Sequence, residues 1–130
     1  MEEALVDWLL ADTAITAMVD QRITWSERPQ ATLMPAVVLH RVTGIRNFHL
    51  LGPSGLVSSV VQADCWGLTY GAAVDLSRAV RVRLNGIGRD EIATFQSVQL
   101  QNERQTFETG AGAAERYYRT SLDFELWHSE

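Results

Sequence analysis

Apolar side chains recur at helical spacing near the start of the chain. The i, i+3, i+4 pattern of one helix face holds first for Ala4, Leu5, Trp8 and Leu9, and then for Ile15, Met18 and Val19. Between the two groups, Asp12-Thr13 supplies residue types that favour helix caps over helix interiors. The segment from Glu2 to Val19 therefore predicts one broken helix or two short ones.

A different periodicity predicts strands further along the chain. Residues rich in β-branched side chains predict a strand from Ala36 to Val42, a second from Leu56 to Trp66 and a short one at Ile23 to Trp25. Two long strands are predicted at the end, from Thr94 to Glu108 and from Tyr117 to Trp127. The last one alternates strictly, and its apolar face carries Tyr118, Thr120, Leu122, Phe124 and Leu126.

One more helix is predicted between the two strand pairs. Thr69 is a suitable N-cap for a helix from Tyr70 to Leu84, and Gly86 follows where a glycine commonly ends a helix. The spacing of its apolar residues indicates a buried face made of Ala73, Leu76, Val80 and Leu84.

The order of elements is helix, two strands, helix, two strands, and short connections make each strand pair antiparallel. This order predicts an α+β fold. An antiparallel or mixed β-sheet carries the N-terminal helix and the central helix on one face and ends in a long C-terminal β-hairpin. A chain of 130 residues without repeats or linkers fits a single domain over residues 1–130.

The connection between the first two long strands is a candidate docking element. Gly52-Pro53-Ser54-Gly55 favours a turn, so a loop is predicted from Gly44 to Gly55, longer than most links between antiparallel strands. We expect this loop to bind a protein partner through Arg46, Phe48, His49, Leu50 and Leu51. The alternative is that Phe48 and Leu50 pack onto the sheet as a small satellite core.

The strand from Thr94 to Glu108 is polar on both faces, which is unusual for a strand in a small core. Such a strand is solvated or covered by another chain, since exposed sheet edges pair readily. It is therefore a candidate inter-subunit strand, with contacts predicted at Gln96, Gln99, Gln101 and Arg104.

The composition and net charge of the chain argue against several classes of function. The net charge of −5 argues against nucleic acid as the main partner, because nucleic-acid-binding proteins usually carry a basic face. All eleven basic residues are arginines, so a Walker A loop, a Schiff-base lysine and a lysine base are excluded. The acidic start, Met1-Glu2-Glu3, is unlike an export signal, and a single cysteine, Cys65, suits a reducing compartment. We expect a cytosolic product.

No catalytic or metal-binding pattern is evident. His40, His49 and His128 are scattered without a second ligand at a familiar metal-site spacing. Ser54 lies in Gly-Pro-Ser-Gly, one residue short of a nucleophile elbow, and the predicted segment joins two strands instead of a strand and a helix. We therefore expect no catalytic residue, no cofactor and no metal.

Four stretches taken together resemble a family of tail-completion proteins of long-tailed phages and prophage-derived particles, which includes head-to-tail joining and tail terminator-like proteins. The stretches appear in the family's order and cover nearly the whole chain. They are Pro35–Val42, Leu51–Val57, Val61–Tyr70 and Ser121–His128.

The resemblance implies a non-enzymatic structural protein with a tail terminator-like fold. It implies a hexameric ring that caps the tail tube and joins the tail to the head. The implied partners are other copies of the chain, the tail tube protein and the head-tail connector or head-closure protein, with DNA only passing through the ring lumen and no membrane. The implied location is the host cytoplasm during assembly and then the neck or tail end of a virion or gene transfer agent-like particle.

Three other functions stay open at this point. A head-closure or neck connector protein would share the fold and differ in position. A small serine hydrolase using Ser54 and His49 would need a carboxylate beside the histidine. A small-ligand binding module would need a closed apolar pocket.

Overall fold

The computed structural model describes residues 2–25, 35–49, 52–87, 95–109 and 116–129. Within these ranges the chain forms three helices and five strands. The helices are α1 (Glu2–Leu10), α2 (Thr13–Val19) and α3 (Tyr70–Leu84), and the strands are β1 (Ile23–Trp25), β2 (Ala36–His49), β3 (Gly52–Gly67), β4 (Phe95–Thr109) and β5 (Arg116–Ser129).

The five strands form one mixed sheet in the order β1-β2-β3-β5-β4. β1 is parallel to β2, and every other neighbouring pair is antiparallel. The predicted α+β class, with helices on one face and a long C-terminal hairpin, is confirmed. The order also places β1 and β4 at opposite edges of the sheet.

Local capping explains where the helices begin. The Asp12 side chain accepts a hydrogen bond from the Ala14 N–H at 2.9 Å, so the N-terminal segment forms two short helices instead of one. The Thr69 side chain accepts from the Ala72 N–H at 3.1 Å, and α3 spans the predicted residues. Gly86 has a φ of 85°, a conformation that favours glycine, directly after the α3 C-cap.

The helices pack on one face of the sheet and enclose the core. The alternation predicted for β5 is confirmed, since Thr120, Leu122, Phe124 and Leu126 are buried on that face. The core joins these side chains to others from all three helices, among them Leu5, Leu9, Ile15, Val19, Leu76, Val80 and Leu84.

Trp8 and Arg83 lock α1 against the last turn of α3. The Trp8 indole N–H donates to the Arg83 carbonyl at 3.0 Å, and the Arg83 Nε–H donates to the Trp8 carbonyl at 3.0 Å. The guanidinium carbon of Arg83 also lies 3.6 Å from the centroid of the Trp8 ring, a cation–π contact. Arg83 is therefore held in a structural contact between the two helices.

Gly67 marks the closest approach between β3 and α3. A Cβ atom at this position would lie 2.7 Å from the Ala73 backbone nitrogen and 3.0 Å from the Ala72 Cβ. Any side chain here would push the start of α3 away from the strand. The glycine thus allows the short connection that returns the chain from the sheet to the helix layer.

The prediction of a loop from Gly44 to Gly55 is wrong. β2 and β3 continue as a hairpin up to the pair His49 and Gly52. Proline is tolerated at Pro53 because the pairing of β3 with β5 begins only at Leu56, so the missing N–H at Pro53 removes no hydrogen bond to β5. The Gly-Pro-Ser-Gly sequence is therefore part of a strand that extends past the body of the sheet.

Candidate assembly surfaces

The tip of the β2–β3 hairpin projects beyond the rest of the sheet. Among the described residues, those after Arg46 in β2 and before Leu56 in β3 pair only with each other, because β5 ends opposite Leu56. Of the predicted docking residues, Phe48 and His49 lie in β2 on this projection, and Arg46 lies at its base opposite Val57. Leu50 and Leu51 fall outside the described residues. The structure makes Arg46, Phe48 and His49 part of a hairpin instead of a loop.

The candidate inter-subunit strand is the edge strand β4. Gln96 and Gln101 sit at register shifts in the β4–β5 ladder, where neither residue has a direct partner in β5. Register shifts of this kind are typical of β-bulges, which are common at sheet edges. Gln99 lies opposite Glu125, and Arg104 lies opposite Ser121. All four predicted residues are therefore on one edge strand, and all four are exposed.

The turn after α3 covers the first half of this edge. The Gly86 N–H donates to the Val98 carbonyl at 2.8 Å, and the Val98 N–H donates to the Ile87 carbonyl at 3.1 Å. The Leu100 N–H donates to the Asn85 side-chain oxygen at 3.0 Å. These bonds satisfy outward-facing groups of β4 as far as Leu100 from within the chain.

The stretch Gln101–Thr106 follows this covered part, and all six of its residues are exposed. In the part of the chain that the structure describes, β4 pairs with no strand other than β5. The two charges of the stretch are already engaged, since Glu103 meets Arg81 at 3.5 Å and Arg104 meets Asp123 in an ion pair. The hydrogen bond to Asp123 raises the pKa of the Arg104 guanidinium.

An aromatic groove of about 230 Å³ adjoins this stretch on the helix side of the sheet. Tyr70 and Tyr118 meet edge to face with ring centroids 6.5 Å apart, and the Phe107 ring lies 6.3 Å from that of Tyr118. The Tyr70 hydroxyl donates to the Gln105 side-chain oxygen at 2.7 Å, which joins α3 to the edge strand. Tyr70 and Phe107 are each more than half exposed, so apolar surface is available beside the edge.

A second groove, of about 390 Å³, lies between α1 and β1 at the opposite edge. Its floor is apolar, with Val6, Ile23 and Trp25, and its acidic lining residues are Glu2, Glu3 and Asp7. The Trp25 indole N–H donates to the Glu2 carbonyl at 3.3 Å and ties β1 to the start of α1. Part of the negative charge of the chain is therefore concentrated at this edge.

The face of the sheet opposite the helices carries a buried polar network centred on Asp64. Its Oδ1 accepts hydrogen bonds from the Ser121 hydroxyl at 2.7 Å and the Gln62 side-chain amide at 2.8 Å. Its Oδ2 lies 3.2 Å from His40 Nε2 and 3.8 Å from Arg119 Nη1. The side chain of Asp64 is 3% exposed, so these partners compensate a carboxylate that water barely reaches.

The network is structural and does not have the order of a catalytic triad. In a triad the histidine lies between the nucleophile and the carboxylate, whereas here the carboxylate lies between Ser121 and His40. Arg119 also lies over the Trp66 ring, with its guanidinium carbon 5.3 Å from the centroid. Sequence reasoning placed Asp64 on a polar face and missed its burial, because strand alternation alone does not show what covers that face.

The other residues considered as candidates for catalysis or metal binding also form no catalytic arrangement in the described part of the chain. Ser54 lies within β3, in an antiparallel hairpin and not at a strand-to-helix turn. A separate buried pair joins the Ser59 hydroxyl to His128 Nε2 at 2.8 Å on the core side of the sheet. Cys65 is fully buried, and burial raises the pKa of its thiol. Within the described ranges, no three His, Cys, Asp or Glu residues are grouped to hold a metal ion.

These features indicate a class of protein. In the described residues, each edge of the sheet is open over part of its length, a hairpin tip projects from it, and the polar side chains described above make structural contacts. This combination is typical of a structural protein that assembles with others.

The chain belongs to the family of tail completion protein gp17, whose pattern matches residues 3–129. It is thus a structural protein of a phage-type tail. The family prediction made from the four sequence stretches is confirmed.

A solved structure is similar to the chain over its full length. It is a chain in the virion of a native gene transfer agent particle, with a TM-score of 0.70 and 17% identity, covering 100% of this chain and 95% of that one. At this identity the likeness confirms the fold. Among curated proteins, none matches the sequence. No helix in the described residues has the length and hydropathy needed to cross a bilayer.

Proposed function

We propose that this protein caps the tail tube as an oligomeric ring of six subunits and joins the tail to the head. The observation that carries the proposal is the match to the tail completion family over residues 3–129. A ring needs two different contact surfaces on each subunit. The open edges of the sheet, at β4 and at β1 and β2, supply two such surfaces on opposite sides.

The proposed partners are other copies of the chain, the tail tube protein and the connector or head-closure protein of the head. Assembly takes place in the host cytoplasm, and the finished ring lies at the head-proximal end of the tail. DNA passes through the lumen without being bound. The net charge of −5 per subunit supports this last point, since a lumen lined with carboxylates repels phosphates.

A particle lacking this protein tests the proposed function. Deleting its gene should leave filled heads and separate tails, with tubes of uncontrolled length, and purified protein should restore joining when it is added back. Electron microscopy of the particles measures both results. Tails of normal length that still fail to attach would instead support a head-closure role, and joined particles would contradict the proposal.

We infer that the hairpin tip docks onto the tube or the connector. The tip projects past β5, with Arg46 at its base and Phe48 and His49 on it, and arginine and aromatic residues are common in protein interfaces. The tested change replaces Arg46, Phe48 and Leu50 with serine. We expect a folded protein with a thermal unfolding midpoint close to that of the wild type, and a loss of head-to-tail joining of at least tenfold.

A matched control variant makes the same kind of substitution at another place on the surface. Replacing the exposed Val82, Arg78 and Leu68 with serine alters the same kinds of side chain away from the tip. This control should fold and join heads to tails normally. Normal joining by the tip variant would place the docking surface elsewhere, and a tip variant that does not fold would support the satellite-core alternative for Phe48 and Leu50.

A further inference from the structure

We propose that neighbouring subunits share one continuous sheet, in which the stretch Gln101–Thr106 of β4 pairs with the stretch Arg41–His49 of β2 in the next copy. This inference rests on the ring proposed above and names the contact that builds it. The first reason is topological. β4 and the β1–β2 side are the two opposite edges of the sheet, as a head-to-tail contact requires.

The second reason is that both stretches are open at these edges. β1 pairs only with Val37–Leu39 of β2, so among the described residues β2 continues from Arg41 to His49 without a sheet neighbour on that side. On β4, the turn after α3 bonds to Val98 and Leu100, and no other described residue covers the edge from Gln101 to Thr106. Within the described ranges, each edge is thus covered over part of its length and open over the rest.

The third reason is strand direction. β2 is antiparallel to β3, β3 to β5 and β5 to β4, so β4 and β2 run in opposite directions within one subunit. A copy placed by continuing the sheet past β4 presents its own β2 in antiparallel orientation. Antiparallel pairing needs no special connection and forms straight hydrogen bonds between the two backbones.

The fourth reason is that the β4 edge carries few of the devices that prevent pairing. Soluble proteins protect edges with lysines, prolines, unpaired charges or β-bulges. β4 has neither lysine nor proline, and its register shifts lie before Asn102, so the ladder from Asn102 to Thr106 is regular. Its Glu103 and Arg104 are held by Arg81 and Asp123 in the same subunit. The edge can therefore accept a strand without burying an unpaired charge from this stretch.

Exposed apolar side chains at both edges indicate a surface that becomes covered. Val42 is 55% exposed at the start of the open part of β2. Phe107 and Tyr70 are 57% and 56% exposed in the aromatic groove beside the open part of β4. In recognition by strand addition, the backbone ladder supplies affinity and such flanking pockets supply specificity. A second copy is the occupant that brings both a matching open edge and its own apolar residue.

A cysteine crosslinking experiment tests the contact. The residues Thr43 and Thr106 are exposed and lie on the face opposite the helices, on β2 and β4 respectively. The variants are Thr43→Cys, Thr106→Cys and the double variant, treated with a bismaleimide whose spacer is about 10 Å long, the length of three strand residues. The native Cys65 is fully buried, which keeps the background low.

The double variant, both free at high concentration and bound to tail tubes, should give a ladder of crosslinked species up to the ring number on a denaturing gel. Each single variant should stay monomeric, because pairing of the two open stretches in antiparallel orientation places residue 106 of one copy beside residue 43 of the next. A dimer formed by Thr106→Cys alone would show a β4-to-β4 contact and overturn the proposal. A double variant that joins heads to tails and yet gives no ladder would overturn it as well.

A second pair of variants checks that the ladder comes from this surface. Phe107→Arg in the double-cysteine background should abolish the ladder, whereas Val82→Arg, which places the same cation on an exposed residue of α3, should leave it intact. Circular dichroism of both variants confirms the fold. Failure of the wild-type protein to bind tubes or join particles would count against the proposed function itself. Tube binding and particle joining are measured without crosslinking, so this failure is distinguishable from a failure of the proposed contact.

Discussion

Phe124→Ala is expected to lower the free energy of unfolding by about 3–5 kcal/mol, the usual cost of truncating a fully buried phenylalanine. Phe124 is 1% exposed on β5, in the core between the sheet and the helices. The loss combines the transfer free energy of the ring with a cavity that the surrounding strands cannot close. Denaturant unfolding followed by circular dichroism measures it.

Two control variants separate burial from residue type. Phe107→Ala makes the same chemical change at a phenylalanine that is 57% exposed, and should cost less than about 1 kcal/mol. Asp123→Ala, next to Phe124 on the opposite face, removes an ion pair with Arg104 and should cost about 0.2–1 kcal/mol. If Phe107→Ala lowered the free energy of unfolding as much as Phe124→Ala, burial would not be the cause of the loss. If Asp123→Ala did so, the two faces of β5 would be misassigned.

Asp64→Ala should lower the free energy of unfolding by about 2–4 kcal/mol, because it leaves buried hydrogen-bond donors without their acceptor. The Ser121 hydroxyl and the Gln62 amide both donate to this carboxylate, and Ser121 itself is buried. Asp64→Asn keeps the shape and one acceptor oxygen, so it should lose less than the alanine variant. Chemical denaturation of both variants gives the comparison.

The matched control for this prediction is Asp75→Ala on α3. The side chain of Asp75 is 69% exposed, and its only ion pair in the described structure is a 3.9 Å contact with Arg78 one turn away. A surface change of this kind stays within about 0.5 kcal/mol. If Asp64→Ala lowered the free energy of unfolding no more than Asp75→Ala, the hydrogen bonds of Asp64 would not stabilise the fold more than a solvent-exposed contact does.

Local periodicity predicted the parts of the fold that depend on nearby residues. Thr69 as a cap and the apolar spacing after it predicted α3 from Tyr70 to Leu84, and these are its bounds in the structure. The alternation in β5 predicted the face on which Thr120, Leu122, Phe124 and Leu126 are buried, although Ser121 on the other face is buried as well. In both cases the spacing of apolar residues within one element predicts its structure, and the tertiary contacts are consistent with that prediction.

The remaining features depend on which strands lie next to each other. The tolerance of Pro53 in β3 follows from the point at which β5 ends, and the burial of Asp64 follows from neighbours on β2 and β5. Neither relation is present in the local sequence. For the same reason, the sequence indicated that β4 was unusual without showing which half of its edge is covered by the turn after α3.

The short open stretch of β4 has a consequence for the timing of assembly. A ladder over the six residues Gln101–Thr106 adds about six hydrogen bonds, each worth a net of about 1 kcal/mol. Bringing two subunits together costs roughly 4–15 kcal/mol in lost translational and rotational freedom. The two quantities nearly cancel, so under the proposed pairing we expect dilute subunits to remain separate. If the ring forms on a tube end as proposed, binding there would raise the local concentration of subunits, and the completed tube would determine when the ring closes.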